Sequence, residues 1–578
     1  MRTRLIALLT TLVLLLGCCP LALGEEIAYD RTLFTKDRVI DIDILMDDDA
    51  WSTMMENAVK EEYVQCNAVI NGVLYENVGF RPKGNSSLVR VSASGSERFS
   101  FRLKFNKFEK GRTFDGLDTL ILNNGYNDPG NIKEALAYDM FSYLGADASL
   151  YAYARLSHNG EYIGVYLALE CVDKSFLRRN YSDDYGKLYK PDNSKLNEFD
   201  MNDGNMMERI AGILGEDADM TALQSAMADA FAGSSGERGD GTESEDQGSS
   251  GASSGGSVAN NDDFNASFGG SSGNSAGSMN MRDILKMAGG IFSAEEDQPL
   301  RLNYVGDDLN LYQDIWDAAK VKSDDEDHAR VVTALENISE RDDLETYMDV
   351  DNLLRYMAVQ TFVLNWDGLS GLIPHNYYLY EENGQLNLLP WDYNEAFCTM
   401  FGADYFVNFP VDTPFMIDDP SQHQFFMALL ENEEYLARYH EYLRILAEEY
   451  VQGGELDAVY ARIRGQIDTL VAEDPTAFAD YKKFDGVAKA IKRLAELRAE
   501  SVLGQLKGTI PATTAEQEAH PELLLDTSNE DFSVLNNLGF MMGGENVDFA
   551  IILENFDMDG FGASFGGSSG APAEEDAP

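Results

Sequence analysis

Cysteine is scarce in this 578-residue chain: five in all, of which only Cys66, Cys171 and Cys398 lie beyond the N-terminal stretch. Three such residues, odd in number and far apart, exclude a disulfide framework and zinc-ligand spacing. They read as small buried apolar side chains. Basic residues are scarce beside acidic ones, 44 against 99, for a formal charge of −55. Nucleic-acid binding depends on neutralising phosphates with Lys and Arg, so this balance excludes it. The apolar run at residues 5–16 follows Arg2 and Arg4. It falls short of the ~20 residues that a membrane span needs, so residues 1–24 read as a secretory signal peptide. Two processing sites compete. Leu15-Leu16-Gly17-Cys18 reads as a lipobox that leaves a lipid anchor on Cys18, and Ala22-Leu23-Gly24 suits ordinary signal peptidase. Either outcome makes the protein secreted or anchored to the outer face of the cytoplasmic membrane.

What is present divides the chain into segments. Residues 38–46 alternate like a strand. Three Asn-Gly pairs, at 71, 159 and 383, each sit between apolar stretches and predict hairpins over 65–83, 149–170 and 377–390. Asp128-Pro129 predicts a helix start, Asp as N-cap and Pro at the first position, with the helix running to about Leu144 and stopping at Gly145. Residues 232–280 are Gly/Ser-rich with almost no aliphatic side chains, so disorder is expected there. The octapeptide at 266–273 (ASFGGSSG) recurs at 563–570. It reads either as low-complexity drift or as a recognised motif. From about 421 to 506 apolar residues recur at three and four, as in Phe425, Leu429, Leu436, Tyr439, Leu443 and Leu446, predicting a helical body. Asp557-Met558-Asp559-Gly560 hints at a calcium loop but lacks the rest of the pattern.

The chemistry-bearing stretch is Asn365-Trp366-Asp367-Gly368, followed by His375-Asn376-Tyr377-Tyr378 and Pro390-Trp391-Asp392-Tyr393. Closing the Asn383-Gly384 hairpin brings Asn376 and Asp392 to one open end, with Asp367 just upstream. An Asp, then an Asn, then an Asp beyond a hairpin is the layout of phosphoryl-transfer enzymes of the protein-kinase kind. Turn and cap roles are the other reading of the same carboxylates. Residues 81–112 hold nine basic residues against Glu97 and Glu109, a local positive site in an acidic chain. Within it, Phe99, Phe101, Leu103 and Phe105 alternate onto one face and leave Arg102 and Lys104 on the other. Lys83-Gly84-Asn85-Ser86-Ser87 follows a strand and offers backbone N–H groups and hydroxyls for phosphate.

At these residues the chain resembles the CotH family, the kinase-like spore-coat protein H group. The likeness also includes Arg81-Pro82-Lys83-Gly84-Asn85-Ser86-Ser87, Ser100-Phe101-Arg102-Leu103-Lys104-Phe105, and Leu122-Asn123-Asn124 with Asp128-Pro129. It continues through Lys133-Glu134-Ala135-Leu136-Ala137 and Gly164-Val165-Tyr166-Leu167 with Glu170, in family order over roughly 35–195 and 300–505. The resemblance implies an α+β, atypical protein-kinase-like two-lobed fold with a disordered Gly/Ser-rich insertion. On it, residues 25–195 form a β-rich N-lobe, 196–300 the insertion, 301–510 the catalytic hairpin and helical C-lobe, and 511–578 an extension with a Gly-rich acidic tail.

The implied activity is magnesium-dependent phosphoryl transfer from ATP to Ser-rich proteins, the chain's own Gly/Ser segments among them. Asp367 would serve the acceptor hydroxyl, Asn376 and Asp392 the metal. Lys104, paired with Glu134, would hold the phosphates beside the Lys83, Gly84 and Ser86 loop, and Glu170 would stand at the hinge near base or ribose. The pattern also departs from ordinary kinases. No His-Arg-Asp precedes Asp367, the step from Asp367 to Asn376 is nine residues, and Asn394 stands where the family commonly has a second Asp. A non-catalytic structural or adhesive coat protein, and a nucleotidyl transferase on the same fold, remain the alternatives.

Overall fold

The computed structural model describes residues 27–84, 86–191, 298–372, 374–399 and 402–535. The signal segment with Cys18, the Gly/Ser stretch at 232–280, both copies of the octapeptide and the acidic tail with Asp557 lie outside them.

Seven strands close into a barrel: β1 (Ile40–Leu45), β2 (Val64–Ile70), β3 (Val73–Lys83), β4 (Ser100–Lys104), β5 (Thr119–Asn123), β6 (Tyr151–His158) and β7 (Glu161–Glu170), in the order β1-β2-β3-β4-β5-β7-β6. All neighbours are antiparallel except β1 and β6, whose parallel pairing completes the circle. The Asn71-Gly72 and Asn159-Gly160 turns take the expected form. Both residues of each have positive φ, which two-residue hairpins of this hand require. A second sheet, β8 (Lys187–Tyr189), β9 (Tyr377–Glu382) and β10 (Gln385–Pro390), has the order β10-β9-β8, and its hairpin turns at Asn383-Gly384 in the same way.

Period-2 alternation decides which side chains fill the barrel. Ile40, Ile42, Ile44, Phe101, Leu103, Leu120, Leu122, Ala152, Ala154, Tyr166 and Ala168 belong to its interior. The intervening Ile121, Tyr151, Tyr153, Val165, Leu167 and Leu169 point outward into a larger apolar cluster. That cluster takes in α3 and runs without interruption into the C-terminal helices, so the expected lobes share one core on this side. The chain is α+β, as the patterning implied.

The helices that matter to the site are α1 (Asp48–Glu56), α2 (Ser86–Ala93), α3 (Lys133–Leu144), α4 (Lys174–Tyr181), α5 (Asp325–Glu340), α6 (Val350–Val363), α7 (Glu433–Arg444), α8 (Glu455–Ala472) and α9 (Tyr481–Leu506). The helix expected at Pro129 begins four residues later. Ile132, not Asp128, holds the N-cap position, although Asp128 Oδ2 accepts the Lys133 N–H at 2.8 Å; Gly145 ends the helix in the left-handed region as expected. Phe425, Leu429, Tyr439, Leu443 and Leu446 are buried, and so are Cys66, Cys171 and Cys398. Among the described residues no helix is long and apolar enough to cross a membrane.

Candidate functional site

Helix α6 carries the first half of the site. It ends at Val363, Leu364 turns the chain with φ 44°, and Asp367 follows in the next loop. The β9–β10 hairpin carries the second half. Tyr377 and Pro390 are its last paired residues, so Asn376 and Asp392 emerge side by side. Both have left-handed backbones, φ 56° and 57°, which Asn and Asp tolerate better than other non-glycine residues. Asn376 Nδ2 donates to Asp367 Oδ2 at 2.8 Å. The reverse amide orientation would set two oxygens against each other, so this bond turns the carboxamide oxygen of Asn376 away from Asp367. The three residues singled out by the sequence are thus gathered at one end of one hairpin.

The cation beside them is Lys83, not Lys104. Lys83 closes β3 and pairs in register with Ser100, whereas Lys104 pairs with Gly79 at the far end of β4. Four residues of strand put those positions ~13 Å apart. Lys83 interacts electrostatically with Asp392 and Glu134; burial and the nearby charges of Lys190 and Arg102 hold its ammonium below the usual lysine range. Glu134, in the first turn of α3, is buried and receives both of its hydrogen bonds from Asn123 Nδ2, at 3.0 and 2.9 Å. Burial, reinforced by Asp392, pushes its carboxyl up to about 8. The strand-lysine and helix-glutamate pairing expected of Lys104 therefore falls to Lys83.

Two further expectations are corrected. Glu170 does not face a nucleotide: it is fully buried, with Arg179 bound to both oxygens at 2.9 and 2.6 Å, the Leu150 N–H at 3.1 Å and the Tyr29 hydroxyl. Every acceptor position is taken, so it ties the end of β7 to α4. The Gly84 N–H is likewise engaged, donating to Glu61 Oε1 at 3.1 Å rather than pointing into a phosphate cradle. Ser86 is the first residue of α2, and its side chain lies outside the described residues with Asn85. The basic stretch is partly neutralised: Arg81 pairs with Glu61, Arg98 with Asp474 and Arg112 with Glu109.

Other residues of the site escaped the sequence. Gln360 on α6 accepts the Tyr393 hydroxyl at 2.7 Å and donates to the Asn365 carbonyl at 2.9 Å, binding the two loops together. Glu395 accepts the Trp366 indole N–H at 3.2 Å and a hydrogen bond from Asn127. Asn394, the departure from the family pattern, donates to the Tyr126 carbonyl at 3.2 Å, which an ionised Asp could not do. Trp391 carries Lys83 and Lys190 near its ring, at 5.6 and 5.9 Å from the centroid. Of these, Asn365, Trp366, Trp391 and Tyr393 lay inside the recognised motif, and Lys83 and Asn394 had been singled out beside it.

The family model for CotH kinase protein matches residues 80–231 and 275–502. The chain belongs to the CotH kinase family. Over 106 residues it is 32% identical to the inner spore coat protein H of Bacillus subtilis (strain 168), a stretch that covers 18% of this chain and 29% of that protein. It spans less than a third of the length of this curated relative. For a CotH kinase family member the donor set is apt: Asp367, Asn376 and Asp392 are all hard oxygen donors. Among the described residues no three His, Cys, Asp or Glu converge on one point. Magnesium is ordinarily held by one or two carboxylates with waters and substrate phosphates, and Asp392 with Asn376 can supply that share.

Proposed function

We propose that this chain is a kinase-like phosphotransferase that moves the γ-phosphoryl group of ATP to serine hydroxyls of Ser-rich proteins. The carrying observation is the Asn376–Asp367 hydrogen bond at 2.8 Å beside an Asp392 that shares its surroundings with Lys83 and Glu134. Asp367, held by Asn376 through one oxygen, would take the proton of the acceptor hydroxyl as that hydroxyl's oxygen attacks phosphorus. The bond from the γ-phosphorus to the bridging oxygen breaks, leaving the diphosphate. Magnesium held by Asp392 and Asn376 would neutralise charge on the phosphates. Lys83 adds a cation to the same phosphates, and Glu134, itself positioned by Asn123, orients Lys83. In this reading the barrel and the helical body stand as the two kinase-like lobes. Asn394 leaves Asp392 as the principal metal carboxylate.

The site of action is a spore or cell surface, reached by export, the chain being either secreted or held by a lipid anchor on Cys18. The name of the Bacillus relative supports a coat setting, and it also favours a second reading, a coat protein that keeps the fold without turnover. Purified chain incubated with magnesium and ATP labelled on the γ-phosphate or on the base separates these. Label from the γ-phosphate on serines of an acceptor, or of the chain's own Gly/Ser segments, supports the phosphotransferase. Label from the base would mean nucleotidyl transfer, and no label from either would leave the structural role.

A further inference from the structure

Lys190 follows the last residue of β8, and β8 pairs with β9, so Lys190 is delivered next to the hairpin that carries Asn376 and Asp392. Its position is set by its own backbone, whose N–H donates to the Ala318 carbonyl at 3.1 Å. The side chain is half-buried and reaches the Trp391 ring, on which Lys83 also rests. Two ammonium groups on one indole repel each other, and the repulsion is felt at Lys83. Some of the described lysines are drawn to carboxylates, as Lys36 is to Asp139 and Lys187 to Asp327. Among the described residues Lys83 and Lys190 are in no ion pair, although 99 carboxylate side chains are present in the sequence. Arg102, whose charge also bears on Lys83, has a buried Nε with no hydrogen-bond partner. Like charges gathered next to a metal-donor set, with Asp392 and Glu134 bearing on Lys83, make a positive patch suited to polyphosphate.

We propose that Lys190 and Lys83 form a two-lysine clamp on Trp391 that grips the polyphosphate chain of the nucleotide, Lys190 being the member that discriminates triphosphate from shorter phosphates. The proposal deepens the phosphotransferase reading and rests on it for the nucleotide, but the clamp itself requires only a polyphosphate. Lys83 faces Asp392 and Glu134 and is therefore committed to the metal side. Lys190 reaches the same ring from the β8 side, and extends the positive surface beyond what a single phosphate would occupy. Trp391 supplies a flat apolar floor that holds both ammonium groups without neutralising them.

The test is calorimetric binding of inorganic tripolyphosphate, ATP, ADP and AMP, each with magnesium, to the full chain and to Lys190→Met and Lys190→Arg. The clamp predicts that Lys190→Met weakens tripolyphosphate and ATP about tenfold or more, ADP less and AMP hardly at all, with most of the affinity restored in Lys190→Arg. An unchanged melting temperature shows that the variants are folded. Equal affinity of wild type and Lys190→Met for tripolyphosphate and ATP overturns the clamp while leaving the phosphotransferase reading intact. Tripolyphosphate binding that depends on Lys190, without binding of any nucleotide, keeps the clamp and removes the nucleotide. Uniform weakening of all four ligands, AMP included, would make Lys190 a packing residue and sink the proposal.

Discussion

The Tyr393 hydroxyl donates to Gln360 Oε1 across 2.7 Å, joining the residue after Asp392 to the helix that ends just before Asp367. The same carboxamide holds the Asn365 carbonyl at 2.9 Å. One buried side chain thus ties the loop that carries Asp367 to the loop that carries Asp392. Gln360→Met, close in shape but without hydrogen bonds, strands both partners. Each stranded buried group costs ~1–3 kcal/mol, so urea unfolding should show a loss of about 2–6 kcal/mol. Transfer activity should fall further in Gln360→Met than in Tyr393→Phe, which removes one bond only. Equal activity in the two would show that the loops hold their spacing without Gln360.

Asp392→Asn and Asp367→Asn should both abolish transfer, and they should differ in binding. Asn tolerates the left-handed backbone at 392, so the fold survives while the carboxylate charge is lost. Magnesium-dependent nucleotide affinity should drop at least tenfold in Asp392→Asn and stay within about twofold of wild type in Asp367→Asn, by the charge-stabilisation argument for phosphoryl transfer. Matching affinities in wild type and Asp392→Asn would remove Asp392 from the metal site.

Lys83→Met should weaken nucleotide binding far more than Lys104→Met, because only Lys83 stands by Asp392 and Glu134. The reverse ranking, measured by the same titration, would return the phosphate role to Lys104.

The register explains why the sequence pointed to the wrong lysine. Alternation along Ser100–Lys104 assigns faces correctly, and Arg102 and Lys104 do lie outside the barrel. Which end of that face meets Glu134 depends on how β3 aligns with β4, a long-range fact carried by no local pattern. The three Asn-Gly hairpins were legible for the opposite reason: two adjacent residues that accept positive φ dictate the turn by themselves. Asp367, Asn376 and Asp392 were legible because the hairpin between them is such a turn. Gln360, Glu395 and Lys190 were not, since each acts through a partner on another element. Glu170 looked functional by position, and its burial with bonds from Arg179, Tyr29 and Leu150 shows otherwise.

Arg179→Met should therefore destabilise without touching the site. Glu170 is buried while Arg179 is partly exposed, so the loss in urea unfolding should fall at or below the ~3–5 kcal/mol that breaking a fully buried pair costs. The folded fraction should bind nucleotide as wild type does. A selective loss of nucleotide affinity at unchanged stability would restore Glu170 to the site.

His423 predicts an acid limit. It is buried, with Nε2 at 3.0 Å from the Ile417 carbonyl and its ring stacked on Phe415 at 4.1 Å. Burial, with Arg301 nearby, pushes its pKa from 6.5 down to about 3. The neutral ring is the folded form, so its contribution is complete above about pH 6.5 and is lost as pH falls towards 3. A single proton gives a slope approaching ~1.4 kcal/mol per pH unit within that window. The difference in unfolding free energy between wild type and His423→Gln should change by several kcal/mol between pH 7 and pH 4. A flat difference would mean that the ring is accessible to protons in the folded state.

Closure of the seven-stranded barrel by β1 and β6 leaves that sheet without a rim. The smaller sheet is guarded too, with Leu386 of β10 bridged to Met348 and Tyr189 of β8 bridged to Ala319. Exposed strand rims are where chains at high concentration zip together backbone to backbone. With both sheets shielded, the described residues of crowded copies offer no open strand rim to one another. Packing into a dense layer would then proceed through side chains and charge, leaving the barrel and the β9–β10 hairpin of each copy as they are in isolation.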